Sequence, residues 1–325
     1  MPVLKKFSEK LNTWTKNGIP YLFIIDYEME NPKAYKLSEL ERENIYYSIA
    51  DKGNFPDKKK EILDTSILIN PIAKKEYKKG FEAVKKEILL GNSYLLNLTF
   101  SNKISFKNLT NLLDVLMQTK AKYKLYYKDE FISFTPESFI KIKGNTIYTF
   151  PMKGTIDASV LNAKDILLND KKESEEHNTI VDLLRNDLAI VAENIKINRF
   201  KYIDEIQTKK GKILQMSSEI QGDLPSNWKE NFGDILLKLL PAGSICGAPK
   251  QKTVEIIKQT ETHKRKYYTG VFGVFDGKNI DSAVLIRFIE KNKNEFIYKS
   301  GGGITYQSTI DKEYAELLQK IYIPI

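Results

Sequence analysis

A Gly144-Asn145 pair separates two short runs, 137–143 and 145–150, and it is the tightest constraint in this chain on what it can fold into. Alternating strand-formers on either side of a Gly-Asn turn read as an antiparallel β-hairpin. Closing that hairpin lays Glu137 almost opposite Lys153, where the second strand breaks at Pro151-Met152 and turns through Gly154. A carboxyl beside an amine can do proton and nucleophile work. Spacing alone favours a solvated cross-strand Lys–Glu pair, a common decoration of sheets, and the chemical reading stands beside it.

The rest of the chain mixes strand and helix patterns. A helix is expected from Asn70-Pro71 to Leu90, with Tyr77, Phe81, Val84 and Ile88 at four-three-four spacing and Gly91 as its stop. Helical patterns also cover 108–119, 172–192, 232–240, 250–260 and 311–320, with Pro249 suited to a first turn. Strands are expected over 21–26, 94–100, 124–135, 195–206, 212–222, 267–275, 280–289 and 295–300, the last ending in Gly301-Gly302-Gly303. The N-terminal quarter reads as the short 21–26 strand plus polar connections. Strand runs joined by hairpin-type connections and interleaved with helices give an α+β class with large antiparallel sheets.

Length permits one large domain or two, since the chain has 325 residues. No repeat, low-complexity tract or Pro/Gly/Ser linker marks a boundary, and the longest loop-like stretch is 51–60. One domain over 1–325 is therefore expected, with a short N-terminal portion 1–70 and a motif-bearing core 72–325. No run reaches the roughly 18 apolar residues of a membrane span, and the N-terminus lacks a signal-peptide pattern. Cys246 is the only cysteine, so no internal disulfide or thiolate metal cluster can form, and a reducing, cytoplasmic setting is expected.

The net charge of +9 raises nucleic acid as a partner. Against it, the cations are nearly all lysine, with arginine only at 42, 185, 199, 265 and 287. Readers of bases and phosphates lean on guanidinium forks. The lysines are scattered among acids, clustering only at 58–60, 209–212 and 263–266, so a solvated basic surface is expected, with neither nucleic acid nor membrane as partner.

Two pairs of carboxylates suggest a further site. Glu173 and Glu176 stand three apart on one expected helix, and Glu313 and Glu316 repeat that spacing on the last, so each pair projects from one helical face. By spacing alone such pairs more often decorate solvated faces. Facing each other, the four would suit a hard divalent cation, and with only His177, His263 and one thiol in the chain, an all-oxygen Mg²⁺ site fits them best. The glycine triplet before the last helix lets backbone approach a ligand closely, and the helix after Ala248-Pro249 offers free N–H groups to an anion.

Four blocks occur in order: Pro151-Met-Lys-Gly-Thr155, Glu176-His-Asn-Thr-Ile-Val-Asp-Leu-Leu-Arg-Asn-Asp187, Pro241-Ala-Gly-Ser-Ile-Cys-Gly-Ala-Pro-Lys250, and Ser300-Gly-Gly-Gly-Ile-Thr-Tyr306 leading into Glu313-Tyr-Ala-Glu316. Together they resemble the chorismate-utilising enzymes: anthranilate synthase large subunits, aminodeoxychorismate synthase component I, isochorismate synthases and salicylate synthases. The resemblance implies one large domain of two packed antiparallel β-sheets flanked by helices, with the active site between the halves. It implies that Glu176 and Glu316 ligate Mg²⁺ directly, that Glu173 and Glu313 act mainly through water, and that the ion grips the ring carboxylate of chorismate. Arg287 matches the arginine that pairs with the enolpyruvyl carboxylate. Tyr268, Lys320 and Thr155 match other substrate-pocket positions, and Ser244 with the Gly302 backbone completes an anion cradle.

Within the family, the third position of the Pro-x-x-Gly-Thr block is usually alanine in the anthranilate, isochorismate and salicylate enzymes and lysine in aminodeoxychorismate synthases. Lys153 thus implies aminodeoxychorismate synthase component I, with anthranilate synthase component I as the alternative. The implied chemistry is attack of the lysine amine at ring C2, expelling the C4 hydroxyl with Glu137 as proton donor. Ammonia then enters at C4 and expels the lysine. Attack needs a neutral amine, so apolar surroundings are expected at Lys153.

Relatives carry histidines near 231 and at 215, where this chain has Asn231 and Gln215. The first assists pyruvate elimination in anthranilate synthases, so its loss is expected to disfavour that reaction. The chain lacks the Leu-Leu-Glu-Ser motif of tryptophan feedback and any glutaminase triad, and Cys246 is expected to be a packing residue. A glutamine amidotransferase subunit is the implied source of ammonia.

Overall fold

The run Tyr21–Ile25, Tyr-Leu-Phe-Ile-Ile, is buried at every position, the mark of a strand covered on both faces. In a computed structural model, which describes residues 2–56, 65–107, 111–208, 211–293 and 295–324, this strand lies inside an antiparallel sheet between Lys33–Lys36 and Val271–Phe275. Leu22 and Ile24 pack with Phe272, Tyr123, Leu125 and Phe288, a core shared with a second sheet. Tyr21, Phe23 and Ile25 join Phe232, Leu236 and Phe7 on the opposite face, beneath helices. Alternation along a strand thus divides one apolar run between two cores.

Among the described residues both sheets are nine-stranded and antiparallel. The first runs from Met152–Asp157 and Gly211–Asp223 through Thr146–Thr149, Ser138–Lys143, Ile280–Val284, Val271–Phe275 and Tyr21–Ile25 to Lys33–Lys36, with Glu193–Thr208 also paired to Gly211–Asp223. The second runs from Gly247–Ala248 through Leu95–Phe106, Glu295–Thr305, Phe288–Asn292, Phe131–Thr135, Tyr123–Tyr127 and Ile45–Ile49 to Lys52–Gly53, with Ile67–Asn70 on Leu95–Phe106. The architecture is the expected α+β domain of two packed antiparallel sheets with flanking helices. Residues before 71 supply strands to both sheets.

Four expectations are corrected. The strand expected over 124–135 is two, Tyr123–Tyr127 and Phe131–Thr135, paired antiparallel through a tight turn in which Lys128 and Asp129 take left-handed φ of 49° and 58°. The N-terminal quarter opens with a 15-residue helix, Pro2–Lys16, whose Phe7 and Leu11 are buried. It packs against the Phe232–Leu239 helix, and an added Cβ at Gly233 would lie 2.4 Å from the Ser8 carbonyl oxygen, so only glycine permits that approach. The strand expected over 280–289 is two, Ile280–Val284 and Phe288–Asn292, because Arg287 takes a left-handed φ of 52°. The glycine triplet does not end a strand: Glu295–Thr305 continues through it, with Gly301, Gly302 and Gly303 opposite Thr99, Leu98 and Asn97. Other elements fall close to expectation, including helices Lys74–Leu89, Lys171–Ala189 and Ile310–Gln319. The 108–110 start of the expected 108–119 helix, the 57–60 part of the long loop with its lysine cluster, and Lys209 and Lys210 lie outside the described residues. No described helix is long and apolar enough to cross a membrane.

Candidate active site

The Gly144-Asn145 hairpin forms with the register its turn dictates, Thr146 opposite Lys143 and Tyr148 opposite Lys141. Past Thr149 the chain leaves that partner. Pro151 has no N–H to give, its carbonyl accepts from the Ser218 amide, and Met152–Asp157 pairs onto Gly211–Asp223. Met152 faces Ser217 but Thr155 faces Gln215, so a bulge at Lys153-Gly154 inserts an extra residue, and Gly154 carries it with a φ of 78°. Bulges re-aim side chains.

The re-aimed Lys153 does not pair with Glu137. Its Nζ lies 3.3 Å from Glu176 Oε2, and an added Cβ at Gly303 would sit 3.6 Å from it. The amine is therefore set between a carboxylate and bare backbone, and the apolar surroundings expected for it are replaced by an ion pair. Glu137 accepts a 2.6 Å hydrogen bond from Ser244 Oγ. Burial pushes the Glu137 carboxyl above the ordinary range, opposed by Ser244 and by the charges of Lys153, Arg287 and Lys320. The two groups thus share one electrostatic site without touching.

The four carboxylates face one another from two helices. Asp170 caps the first, accepting from the Glu173 amide at 2.9 Å, and so places Glu173 and Glu176 in its opening turns. Burial raises Glu173, with Glu176 adding to it; burial also raises Glu313, with Glu316 and Glu176 adding to it against a hydrogen bond from Ser308. Burial raises Glu316 too, but the Lys320 ammonium 2.7 Å away holds it below the ordinary range. Lys172 feels all four carboxylates; burial lowers its ammonium, and their summed attraction prevails and raises it. Lys172 also lies 3.6 Å from Glu176. Among the described residues no three acidic, histidine or cysteine side chains converge to hold one ion as they stand. The donors are hard oxygens, and their mutual repulsion at Glu173 and Glu313 is only partly offset by Lys172, Lys153 and Ser308, a donor chemistry of the kind that suits Mg²⁺.

Gly302 lies on the floor of this cluster, where an added Cβ would be 3.7 Å from Glu313, 3.8 Å from Glu316 and 3.8 Å from Lys320. Lys320 also donates to the Gly301 carbonyl at 3.0 Å. Arg287 is half-buried, with its Nε buried and unpartnered and its guanidinium over the Tyr322 ring at 5.3 Å, an arrangement with a donor to spare for an anion. Tyr268 is buried against Phe288, and burial raises its hydroxyl with the Arg287 and Glu137 charges acting on it. Eleven of the twelve residues singled out from the sequence are linked by these contacts and fields. Thr155 is the exception, exposed on its strand opposite Gln215. Asn231 precedes the Phe232–Leu239 helix and donates to the Asn227 carbonyl.

The sequence reading assigned no role to Arg265. It is buried with Glu261, donating to it from Nε at 2.9 Å and from NH2 at 2.7 Å, and it also donates to the carbonyls of Ile245 and Asn97. It fastens the 241–250 loop to the second sheet. The signal was its i, i+4 spacing from Glu261. Cys246 within that loop is buried, its thiol pushed up to about 11 by burial, as suits a packing residue. Arg265→Met is expected to cost about 3 kcal/mol in urea unfolding, because the buried Glu261 would lose its guanidinium partner and keep only the hydrogen bonds from Thr99.

The sequence profile described as chorismate binding enzyme matches residues 11–325. The chain belongs to the chorismate-binding enzyme family. A PabA-like protein of Haemophilus influenzae is 49% identical over 322 residues, covering 99% of this chain and 97% of its own. Aminodeoxychorismate synthase component 1 of Bacillus subtilis is 29% identical over 78% of this chain, and anthranilate synthase component 1 of Archaeoglobus fulgidus 30% over 74%; the matches take in 55% and 57% of those longer proteins. The structure of a 2,3-dihydroxybenzoate-specific isochorismate synthase from Bacillus anthracis shares the fold with a TM-score of 0.73 at 18% identity, over 98% of this chain and 86% of that one.

Proposed function

We propose that this member of the family is an aminodeoxychorismate synthase component I, converting chorismate and ammonia to 4-amino-4-deoxychorismate and water. The observation that carries the reading is Lys153, aimed by its bulge between Glu176 and the Gly303 backbone. In the proposed reaction the neutral Lys153 amine bonds to ring C2, the ring double bond shifts, and the C4 hydroxyl leaves as water with a proton from Glu137. Ammonia then bonds to C4, the double bond shifts back, and Lys153 departs with a proton. The raised carboxyl of Glu137 suits it to hold the proton this needs. Arg287, Tyr268, Lys320, Ser244 and the Gly302 backbone orient the substrate.

Glu176 and Glu316 are the proposed direct ligands of Mg²⁺, with Glu173 and Glu313 acting through water. When bound, the ion supplies positive charge for the ring carboxylate of chorismate. Ammonia is proposed to come from a glutamine amidotransferase subunit, and the setting to be cytoplasmic. The second reading is anthranilate synthase component I, since relatives of that name match at similar identity. Incubation with chorismate, Mg²⁺ and ammonium, followed by mass spectrometry and fluorescence, separates the two. A 4-amino-4-deoxychorismate product is expected, and direct formation of fluorescent anthranilate would replace the first reading with the second.

A further inference from the structure

The helix carrying Glu173 and Glu176 ends at a second buried charge, Asp187, eleven residues and so about 16 Å further along the axis. Asp187 Oδ1 lies 2.8 Å from Lys250 Nζ, and both side chains are largely buried. Lys250 also donates to the Leu239 carbonyl at 3.2 Å, so its ammonium spans the two ends of the 240–250 loop. The carboxylate also meets the loop directly: an added Cβ at Gly243 would stand 2.6 Å from Oδ2, and the Gly243 backbone favours the charged form of Asp187. From behind, Arg265 and Asn97 both donate to the Ile245 carbonyl, at 3.0 and 3.2 Å. The residue clamped between these two holds is Ser244, which donates to Glu137 at 2.6 Å.

We infer that Asp187, braced by Lys250, is a positioning residue that sets the Gly243-Ser244 turn so that the Ser244 hydroxyl stays fixed on Glu137 Oε1. With that oxygen occupied by an incoming donor, the carboxyl proton is confined to Oε2, and the acid presents a single orientation to the reacting ring. A hydroxyl position is sensitive to a few tenths of an ångström, and a turn held only by its own backbone would not provide that. Gly243 is required because any side chain there pushes against the carboxylate that holds the turn.

The inference rests on the acid role proposed for Glu137, but its test does not need turnover. Protein labelled with ¹³C at glutamate carboxyls, with the Glu137 signal assigned by Glu137→Gln, reports the ionisation of that group directly. The charges facing Glu137 are Lys153, Arg287 and Lys320, and none is altered by the variants used. Loss of the Ser244 donor destabilises the carboxylate, so the Glu137 midpoint is expected to rise in Lys250→Met, in the charge-neutral Gly243→Ala, and in the control Ser244→Ala, by about one pH unit, a tenfold change in its acid constant. In assays the same variants are expected to lower kcat for chorismate consumption about tenfold with KM little changed, and combining Lys250→Met with Ser244→Ala should lose little more than either alone. Should Lys250→Met or Gly243→Ala fail to fold, the other decides. A folded variant whose Glu137 midpoint stays at the wild-type value while Ser244→Ala shifts it would overturn the inference. A wild-type enzyme that forms another product from chorismate, or none, would strike the proposed function and leave the carboxyl shift as the measure of Asp187.

Discussion

Replacing Lys153 with alanine is expected to lower 4-amino-4-deoxychorismate formation by roughly a thousandfold, on the order of 4 kcal/mol of barrier, while the protein stays folded. The side chain is removed from a bulge whose backbone path is carried by Gly154 and by pairing to Gly211–Asp223, neither of which depends on it. Chorismate binding should persist, because Arg287, Lys320 and the glycine floor are untouched. Residual turnover is expected to drift toward the 2-amino isomer, as ammonia reaches C2 directly. Mass spectrometry of wild-type protein held with chorismate without ammonia should find an adduct on the peptide containing Lys153. Wild-type rates in the variant together with no adduct would reduce the lysine to an electrostatic neighbour of Glu176.

The second large effect concerns the carboxylates. Glu176→Gln or Glu316→Gln is expected to weaken Mg²⁺ binding on the order of a hundredfold, since each removes one charge from a site with few protein donors. Titration calorimetry measures this without turnover, and circular dichroism should show the fold retained. The affinity should also fall on acidification: Glu173 and Glu313 are raised above the ordinary carboxylate value, so they gain protons while most carboxylates remain charged. Unchanged Mg²⁺ affinity in both variants would remove the metal assignment.

Much of this arrangement is written locally and some of it is not. The hairpin and its register follow from a two-residue turn, and the carboxylate pairs follow from helical spacing, so both were legible. The partner of Lys153 was not, because Pro151 transfers the chain to another strand and the bulge changes its phase; the run of letters continues smoothly through both. The N-terminal helix was legible in principle, with Val3, Phe7, Leu11 and Trp14 at helical intervals, but its many lysines mask the stripe. The glycine triplet looked like a stop because glycine disfavours strands, yet ten register pairs with Leu95–Phe106 hold it extended. Arg287 lies in a run of strand-formers and only tertiary contacts bend it into a left-handed conformation. Local rules fail there at a residue proposed to orient the substrate, where strain is commonly found.

The uninterrupted strand through Gly301, Gly302 and Gly303 limits how such a site can change. Its floor presents peptide atoms alone, and any methyl group at 302 or 303 would project among the charged ends of Glu313, Glu316 and Lys320 or toward the amine of Lys153. At 301 it would collide with the Leu98 carbonyl, 2.6 Å away. Substitution can therefore alter the walls but not the floor, and a new reaction on this scaffold has to arise from the residues that overhang it. One exchange at position 153 changes the amine held between Glu176 and Gly303 while the peptide floor beneath it stays the same.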